Sequence, residues 1–598
     1  GWPMSVFLTP DLEPFYAGTY FPPESRWGRP GFRTVLTRIA EAWRHNRGEL
    51  LADAAQVVEA VRRFSSTGRG GGALPGLALL STATRALASS FDTDFGGFGG
   101  PPKFPQAAVI QLLLREHWRS GDTLALKMAT TTLDRMAEGG IHDHLAGGFH
   151  RYATDAQWLV PHFEKMLYDN AQLAVAYLEA YQATAKAHYA DVAARTLQFM
   201  IEHMRDRSGA FIAALDADSD GKEGACYLWR YGEVMDVLGP EDGALFCDAY
   251  GLMPEGNFTA SEPYHRNANI PHFPRPLTQL AQTHGITAEA IASRLAPLRQ
   301  KLLENRATRP SPGTDDKVIA SWNGLAVSAL ARGFRVLGEP RYRDAATEAA
   351  RFLLGRLYDG AVLHRIWRSG RSRTAGFLDD YAAVVAALTD LWEIDADVHW
   401  IDSARRLAES MIRQFADTEE GGFFRTARDH RSPIARTKPM VDESLPAGNA
   451  MAAAALLRLA LHLDAPHYRK QAEAVLRMVI PQAASYPTAH ASLLNALFLA
   501  QSPPHEVIIS GRRGASDTQT MAEIVNRRFL PTMAFTQFDP EELARQRTTD
   551  SPTLPLLEGR TMVDGKATVY ICHNYTCKDP ITQPSQLERE LADAPKGG

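Results

Sequence analysis

The sequence predicts a mainly α-helical protein built around an (α/α)6 toroid, a ring of six inner helices surrounded by six outer ones. Two kinds of helical segment alternate between about residue 75 and about residue 500. One kind is rich in alanine and leucine on all sides, which indicates a buried helix, and the other has a single apolar stripe. The pair recurs about every 60 residues, and such a repeat indicates an array of helical hairpins.

The apolar segments are expected to form the inner ring. They are FPQAAVIQLLL, LYDNAQLAVAYLEAY, SWNGLAVSALARGF, FLDDYAAVVAALTDLW, PAGNAMAAAALLRLA and TAHASLLNALFLA. The amphipathic segments are expected to form the outer ring. They are LSTATRALASSF, LALKMATTTLDRMAE, YADVAARTLQFMIEHMR, YRDAATEAARFLLGRL, IDSARRLAESMIRQF and YRKQAEAVLRMVI. The first outer helix should close the ring against the last inner one.

The links between these segments predict where a functional site would lie. Links from inner to outer helices are short, whereas links from outer to inner helices, such as residues 139–161 and 418–445, are long. All inner helices then run parallel, and the long loops gather at their N-terminal ends. Loops on a rigid scaffold often bear function, and helix N-termini add partial positive charge there.

The remaining segments differ from the helical repeat. Residues 1–66 show a strand, turn, strand and helix pattern, which we interpret as the C-terminal part of a thioredoxin-like domain, and residues 67–74 as a linker. The toroid spans residues 75–502 with an insertion at 207–312, and residues 503–598 form a small α/β domain. The first residues, GWPMS, are typical of the interior of a β-strand, and the sequence has no start methionine. A fragment or a processed chain is therefore expected.

Composition excludes several classes of function. The 598 residues have a formal net charge of -5, which gives no broad attraction to nucleic acid. No apolar run approaches the roughly 20 residues of a membrane helix, so no membrane association is expected. The four cysteines are too few for a disulfide scaffold and fit a reducing, cytoplasmic location. Neither a cofactor nor a metal is predicted, and the oligomeric state stays open.

The link and helix start at residues 139–170 concentrate ionisable and aromatic side chains. Such density indicates a functional pocket, although a network that caps helix N-termini would use the same residue types. The pair His142 and His144 is too short a motif to predict a metal site, and DADSDGKEG at 216–224 is expected to be a solvated turn. The candidate residues from this link are His150, Arg151, His162, Glu164, Lys165, Tyr168 and Asp169.

Similar features recur at the starts of other inner helices. Acids paired across a cleft suit glycosyl transfer, in which one acts as acid and the other as base or nucleophile, and aromatic rings suit stacking on sugars. Each single acid would equally well be a helix cap. The candidates from these links are Lys103, Trp322, Asn323, Asp380, Tyr381, Glu443 and Asn449.

These candidates lead to two structural expectations. Residues Lys103, His162, Asp169, Trp322, Asp380 and Glu443 should converge on one cavity at the inner-helix N-termini. Desolvation should raise the pKa of Asp169, and the adjacent Asp379 should raise that of Asp380, whereas Glu443 in a polar loop should stay ionised.

The cysteines fall into two pairs. Cys572 and Cys577 in CHNYTC leave zinc binding, redox reactivity and plain packing open. Cys226 and Cys247 are expected to be small buried hydrophobes.

Long motifs along the whole chain resemble the YyaL or spermatogenesis-associated thioredoxin-domain family. They are GWPMSVFLTPDLEPFYAGTYFPP, PPKFP, GGFHRYATDAQWLVPHFEKMLYDNAQL, DDKVIASWNGL, FLDDYA and ESLPAGNA. The resemblance implies a thioredoxin-like domain fused to a six-hairpin toroid similar to N-acylglucosamine 2-epimerases and six-hairpin glycosidases. It also implies a Cys-His-Trp-Cys motif upstream of GWPMS, which this sequence does not contain. By the same resemblance, Pro3 matches the cis-proline beside a thioredoxin active site, and Cys572 and Cys577 match a C-terminal cysteine pair.

The leading interpretation is a carbohydrate-active toroid, epimerase-like or glycosidase-like, acting on a small saccharide or a similar polar small molecule. His150 or His162 would move a proton from a sugar carbon in an epimerase, and Asp169, Asp380 or Glu443 would serve as acid and base in a hydrolase. The alternative is a thiol-redox or protein-quality factor whose toroid binds a client and catalyses nothing.

Overall fold

The computed structural model describes residues 3–26, 28–65, 72–259, 262–370, 374–430, 434–479, 481–573 and 576–592. The first elements are an antiparallel hairpin of β1 (Ser5–Leu8) and β2 (Pro14–Gly18), then α1 (Phe32–His45) and α2 (Arg47–Ser65). The single long helix predicted here is broken at Asn46, where φ is -127° and ψ is 32°. Of the predicted linker at 67–74, residues 67–71 lie outside the described residues.

Helices dominate from residue 78 to residue 501. In chain order they are α3 (Ala78–Ser90), α4 (Ala107–Ser120), α5 (Thr123–Glu138), α6 (Leu167–Thr184), α7 (Ala187–Phe199), α8 (Tyr231–Leu238), α9 (Pro240–Ala249), α10 (Leu277–His284), α11 (Ala288–Arg306), α12 (Ala320–Leu337), α13 (Pro340–Phe352), α14 (Leu378–Asp395), α15 (Val398–Phe415), α16 (Gly448–Leu463), α17 (Pro466–Leu476) and α18 (Ala491–Gln501).

Short two-residue strands lie in the links between these helices. They are β3 (Tyr152–Ala153), β4 (Pro161–His162), β5 (Lys165–Met166), β6 (Ala214–Leu215), β7 (Asp218–Ser219), β8 (Lys222–Glu223), β9 (Trp229–Arg230), β10 (Ala268–Asn269), β11 (Thr314–Asp315), β12 (Val318–Ile319) and β13 (Ile366–Trp367). The segment 216–224, which was expected to be a solvated turn, contains the β7–β8 hairpin.

The helices close into the predicted (α/α)6 ring. Successive inner helices α4, α6, α12, α14, α16 and α18 pack side by side, and α18 returns to pack against α4. Each of the first five is followed by its outer partner, namely α5, α7, α13, α15 and α17, while α3 packs on α4 and on the turns that precede α18. The inner helices are buried nearly all round, as their composition predicts.

Small residues let the inner helices approach each other closely. A Cβ added to Gly324 of α12 would lie 2.8 Å from the backbone carbonyl carbon of Ala383 in α14. Because protein cores are densely packed, such a clash would force the two helices apart. The alanine and glycine of these segments thus set the spacing of the ring.

The C-terminal region forms a four-stranded sheet flanked by helices. The order is β15 (Met533–Phe538), β14 (His505–Ser510), β16 (Thr568–His573) and β17 (Thr576–Cys577), with β14 and β15 parallel and the other pairs antiparallel. The helices are α19 (Ser516–Asn526), α20 (Pro540–Gln546) and α21 (Pro584–Ala592). The predicted strands and the helices α19 and α21 are confirmed, and α20 is an addition.

This region covers the end of the ring where the inner helices finish. One face of the sheet packs on α19 and α21, whereas Ile508 and Tyr570 on the other face join the core of the ring. The side chain of Gln182, near the end of α6, donates to the carbonyl of Asn526 at 2.6 Å. The sequence predicted a separate small domain. In the structure this region packs against the toroid and closes the end at which the inner helices finish.

No helix among the described residues is long and apolar enough to cross a membrane.

Candidate functional site

A cavity of about 430 Å³ opens at the N-terminal ends of the inner helices, as the loop lengths predicted. It lies between the starts of α4, α6, α16 and α18. Of the candidate residues, Arg151, Asp169 and Glu443 line it, together with Phe104, Gln172, Asp442 and Ser492. We call this space the mouth cavity.

Asp169 is the most unusual group in the mouth cavity. It stands in the first turn of α6, is 8% exposed, and its Oδ2 accepts no hydrogen bond from the described residues. Burial raises its pKa well above the usual range, against the opposing charge of Arg151. The side chain therefore keeps its proton to a higher pH than an exposed aspartate does, and its Oδ2 has no hydrogen-bond partner among the described residues.

The loop before α16 presents the second carboxyl. Asp442 accepts from the backbone N–H groups of Ala447 and Ser492, both at 2.8 Å, and so ties the starts of α16 and α18 together. Glu443, the next residue, is exposed on the cavity. Gln172 of α6 fixes the same loop by donating to the carbonyl of Ser444 at 3.1 Å. The loop is thus held while Glu443 stays accessible.

An aromatic side chain lies at the rim of the mouth cavity. Phe104 is 45% exposed and packs on Tyr152 with ring centroids 4.8 Å apart. Tyr152 in turn stacks on His162 at 5.0 Å. An exposed ring supported from behind offers a flat apolar surface to a ligand.

A second space of about 280 Å³, the inner chamber, lies deeper along the axis of the ring. It shares Gln172, Pro446 and Ser492 with the mouth cavity, and residues 528–534 of the C-terminal region close its far end. Its walls carry a network of charged side chains on helices that are otherwise apolar. The network consists of Arg115, Glu179, Arg332, Arg335, Asp390, Glu393, Arg458 and His462.

Short ion pairs connect the network across the ring. The guanidinium of Arg115 donates two hydrogen bonds to the carboxylate of Glu179, at 2.8 and 2.9 Å. Arg458 reaches Asp390 at 2.8 Å and Glu393 at 2.6 Å, and Arg335 reaches Glu393 at 2.7 Å. These residues were not predicted from the sequence, because site candidates were sought only in the links between helices and at the helix starts. The signal was present, since charges on helices apolar on all sides must point into a shared interior.

Asp380 and Tyr381, expected in the cleft, lie at the start of α14 away from the mouth cavity. Asp380 is fully buried and accepts from Phe377 N–H, Ser321 N–H and the guanidinium of Arg365 at 2.8, 3.0 and 2.7 Å. The Tyr381 hydroxyl accepts from Leu363 N–H at 2.9 Å. Asp380 therefore caps the starts of α12 and α14, which is the capping role expected as the alternative, whereas Tyr381 fastens the link that precedes α14.

Asn323 and Asn449, which were expected to bind substrate, are buried and act as clamps, since each side chain bonds both the backbone N–H and the backbone C=O of one phenylalanine. The Oδ1 of Asn323 accepts from Phe211 N–H at 2.8 Å and its Nδ2 donates to Phe211 C=O at 2.9 Å. Asn449 makes the same pair with Phe423, at 2.8 and 2.9 Å. Asn170 repeats the arrangement with Phe149. Each clamp fastens the end of a link to the first turn of an inner helix.

Lys103, Lys165 and His150 are buried with partners in the protein. Lys103 donates to Asp92 at 2.6 Å, and Lys165 donates to Asp143 at 2.7 Å. Burial lowers the pKa of Lys165 to about 8 and that of His150 to about 3. The Nδ1 of His150 lies 2.9 Å from the carbonyl oxygen of Phe163. These side chains organise the 139–170 link and lie off the mouth cavity.

His162 and Glu164 form a half-buried cluster behind the rim. His162 contacts Glu223 at 2.7 Å and Glu164 at 3.7 Å, and Glu164 binds Arg151 at 2.8 Å. Glu164, followed by Glu223, raises the pKa of His162. Through Glu164, this cluster positions Arg151 at the cavity.

Tyr168 and Trp322 pack edge to face, with centroids 4.7 Å apart, next to the loop that bears Glu443. Burial raises the pKa of Tyr168 to about 12. The six residues expected to share one cavity therefore do not do so. Asp169 and Glu443 line it, and the other four lie outside its lining, namely Lys103, His162, Trp322 and Asp380.

The cysteines resolve into one bonded pair and two free thiols. Cys572 and Cys577 form a disulfide, while Cys226 and Cys247 are buried in apolar clusters, as predicted. Pro3 is exposed, and the peptide bond before it involves Trp2, which lies outside the described residues. Within the described ranges, no group of three or more His, Cys, Asp or Glu side chains is placed to hold a metal ion.

Fold and site together define a closed (α/α)6 toroid with an axial cavity, joined to an N-terminal thioredoxin-like segment. Residues 1–62 match the Thioredox_DsbH family model, described as "Protein of unknown function, DUF255". Human spermatogenesis-associated protein 20 is 36% identical over 99% of this chain and 79% of its own length, and the rat protein of that name is 35% identical with the same coverage. The chain belongs to the spermatogenesis-associated protein 20 family.

Solved structures with a similar arrangement of helices are more distant. Cellobiose 2-epimerase from Bacillus thermoamylovorans is 9% identical with a TM-score of 0.42, covering 67% of this chain and 85% of that one. A D-mannose isomerase is 11% identical with a TM-score of 0.42, covering 67% and 84%. A GH76 α-mannanase from Bacteroides thetaiotaomicron is 10% identical with a TM-score of 0.27, covering 69% and 96%. At these TM-scores the similarity says nothing about the reaction of this chain.

Proposed function

We propose that the mouth cavity binds a small saccharide and that Asp169 and Glu443 catalyse transfer at its glycosidic bond. The observation that carries the proposal is the buried carboxyl of Asp169, whose raised pKa favours the protonated form and whose Oδ2 accepts no hydrogen bond from the described residues. It lies on a cavity that is also lined by the accessible Glu443. A neutral acid paired with a second carboxyl is the arrangement that glycoside hydrolysis requires.

The chemistry follows from the positions of the two groups. Asp169 donates its proton to the leaving oxygen as the glycosidic bond breaks, and Glu443 acts on the opposite side as base or nucleophile. Arg151, whose Nε–H donates to no acceptor among the described residues, orients the substrate hydroxyls or stabilises the ionised Asp169 after proton transfer. Phe104 offers its exposed ring to a sugar face.

Hydrolysis is favoured over epimerisation by the positions of the histidines. Epimerisation at a sugar carbon needs a base close to that carbon. His150 is buried against Phe163 and His162 is held by Glu164 and Glu223, so both stand off the cavity. His462 lies in the inner chamber beside Glu393. The proposal therefore assigns the proton transfer to carboxyl groups.

A binding screen followed by a turnover assay tests this function. Native mass spectrometry against a panel of mono- and disaccharides identifies a bound sugar, whose cleavage is then measured for Asp169→Asn and Glu443→Gln. Each replacement should lower kcat by about 10²–10⁴-fold, which is the usual worth of a general acid or base. The wild-type rate should also fall as the pH rises through the raised pKa of Asp169.

Two exposed acids away from the cavity provide matched controls. Glu241→Gln and Asp344→Asn, with side chains 87% and 60% exposed, should leave turnover unchanged. Folded Asp169→Asn and Glu443→Gln proteins that keep turnover within tenfold of the wild type would refute the assignment. A saccharide that binds without turnover in the wild type would instead support a toroid that binds ligands and catalyses nothing.

A further inference from the structure

A buried carboxyl lies next to the disulfide in the C-terminal sheet. Glu506 on β14 pairs directly with Cys572 on β16, and Cys572 pairs directly with Cys577 on β17. Residues opposite each other in antiparallel strands point to the same face, with Cβ atoms about 4.5–5.5 Å apart. Glu506, Cys572 and Cys577 therefore form one row across the sheet.

A guanidinium group completes this cluster. Arg560 Nη2 donates to Cys577 Sγ at 2.8 Å and lies 3.6 Å from Cys572 Sγ. Its guanidinium carbon also lies 5.3 Å from the centre of the Tyr570 ring. A cation in contact with sulfur favours the thiolate over the thiol, which makes that sulfur a better leaving group and nucleophile.

The two sulfurs differ in access. Cys572 is 1% exposed, whereas Cys577 is half-buried. A thiolate from another molecule attacks the sulfur that it can reach. Attack on Cys577 would place the departing electron pair on Cys572, which is the sulfur beside Glu506.

Glu506 has the environment of a proton donor. It is 3% exposed, and burial raises its pKa above the usual range. Two charged groups face it from the elements packed around the sheet: Arg560, which lowers the pKa, and Asp464 at the end of α16, which raises it. A carboxyl that keeps its proton closer to neutral pH is suited to transfer that proton.

We propose that Cys572 and Cys577 form a thiol–disulfide exchange centre that accepts two electrons from a dithiol of a partner protein, with Glu506 as its proton donor and Arg560 as its thiolate-stabilising cation. This function is independent of the saccharide site, which lies at the opposite end of the ring.

The steps balance in atoms and electrons. A partner thiolate attacks Cys577 Sγ, the Cys572–Cys577 bond breaks, and Cys572 leaves with the electron pair and takes the proton of Glu506. The second partner thiolate then attacks the partner sulfur of the mixed disulfide, and Cys577 leaves as a thiolate beside Arg560. The partner is oxidised to a disulfide and releases its two protons to solvent, from which Glu506 regains one.

Reduction kinetics of the oxidised full-length chain test the proposal, with dithiothreitol as the dithiol probe. Aliquots are quenched in acid, alkylated and weighed, which gives the rate of appearance of free thiols at Cys572 and Cys577. Glu506→Gln should slow reduction at least tenfold at pH 7, and this ratio should fall towards one as the pH rises and Glu506 ionises in the wild type. Arg560→Gln should slow the reaction, and Arg560→Lys should restore part of the rate.

Glu558→Gln, an exposed acid in the same region, serves as the matched control and should react like the wild type. A second measurement needs no variant, since the monothiol glutathione should form its mixed disulfide on Cys577 as located by peptide mass mapping. The proposal is overturned if native protein resists the dithiol until it is denatured, if glutathione is found on Cys572, or if Glu506→Gln reacts at the wild-type rate. Each of these results would show that the disulfide has a structural role and does not take part in exchange.

Discussion

Asp169 and Asp380 show how environment separates two identical side chains. Both are buried in the first turn of an inner helix, and in both burial raises the pKa, for Asp380 to about 6. Both directions were predicted, but for Asp380 burial is a larger cause than its neighbour Asp379. Asp380 is surrounded by donors that hold it as a cap, whereas Asp169 lies on a cavity and one of its oxygens accepts no hydrogen bond from the part of the chain that the structure describes.

The raised pKa of Asp169 predicts a pH-dependent stability. The folded state holds this proton more tightly than the unfolded chain, so the stabilisation is complete below the unfolded pKa near 4 and is lost as the pH rises through the folded pKa. Asp169→Asn removes the penalty of ionising a buried acid. The melting temperature of Asp169→Asn, measured by circular dichroism, should therefore increase relative to that of the wild type as the pH is raised from 5 to 8.

The control for this comparison is Asp344→Asn on the outer surface of α13, where the side chain is 60% exposed. Its melting temperature should follow the wild type across the same pH range. A constant difference between Asp169→Asn and the wild type would mean that Asp169 is not desolvated.

At the scale of elements, one asparagine clamp is repeated around the ring. Three asparagines each bond both backbone polar groups of a phenylalanine in the preceding link, namely Asn170, Asn323 and Asn449. Asn170 and Asn323 also donate to the carbonyl immediately before their own helix, and Asn449 donates to the carbonyl of Pro439 in its link. Tyr381 takes the equivalent place in α14 by accepting from Leu363 N–H. Long links need such fastening because their backbone groups would otherwise be buried without partners.

Removing a clamp should therefore be costly. In Asn170→Ala, Asn323→Ala or Asn449→Ala, backbone groups of a buried phenylalanine lose their partners, at about 1–3 kcal/mol each. We expect a loss of about 3 kcal/mol per variant in urea unfolding. The amide of Phe149, Phe211 or Phe423 should also lose protection against hydrogen exchange in the matching variant.

The surface variant Asn46→Ala, which loses an exposed bond to Glu49, should change stability by no more than about 0.5 kcal/mol. Protection that persists at the phenylalanine amide in a clamp variant would show that the link is held by other contacts.

At the scale of the whole molecule, the charged network of the inner chamber ties together helices far apart in sequence. Burial raises the pKa of Glu393, but Arg458, with His462 and Arg335, holds it below its usual range. The partners come from α12, α14 and α16, and Arg115 and Glu179 extend the network to α4 and α6. A buried charge without its partner is expensive, so the network makes closure of the ring specific.

Arg458→Leu should destabilise the protein by about 3–5 kcal/mol at pH 7.5, because it leaves Asp390 and Glu393 buried without their shared cation. Carboxyls whose pKa is lowered in the folded state stabilise it above an unfolded pKa of about 4, and this contribution disappears as the pH falls. The deficit, measured by thermal unfolding, should therefore stay nearly constant between pH 7.5 and pH 5 and shrink as the pH falls from about 4 towards the lowered folded pKa.

Arg406→Leu removes an exposed contact with Asp402 and should cost no more than about 1 kcal/mol. Equal losses for the two variants would mean that the chamber network contributes no more than a surface ion pair.

The sequence by itself determined the class of fold. Helical periodicity, alternating composition and the lengths of the links identify six inner and six outer helices and the end at which a cavity opens, because these are local properties that repeat. Tertiary structure decided which polar residues face that cavity. A capping aspartate such as Asp380, a clamp such as Asn449 and a lining acid such as Asp169 occupy equivalent places at helix starts. Their roles differ through the partners that packing brings within hydrogen-bond distance, and spacing along one chain does not encode those partners. Contacts between distant strands likewise decide how the C-terminal region packs on the ring and how Glu506, Cys572 and Cys577 come to lie in one row.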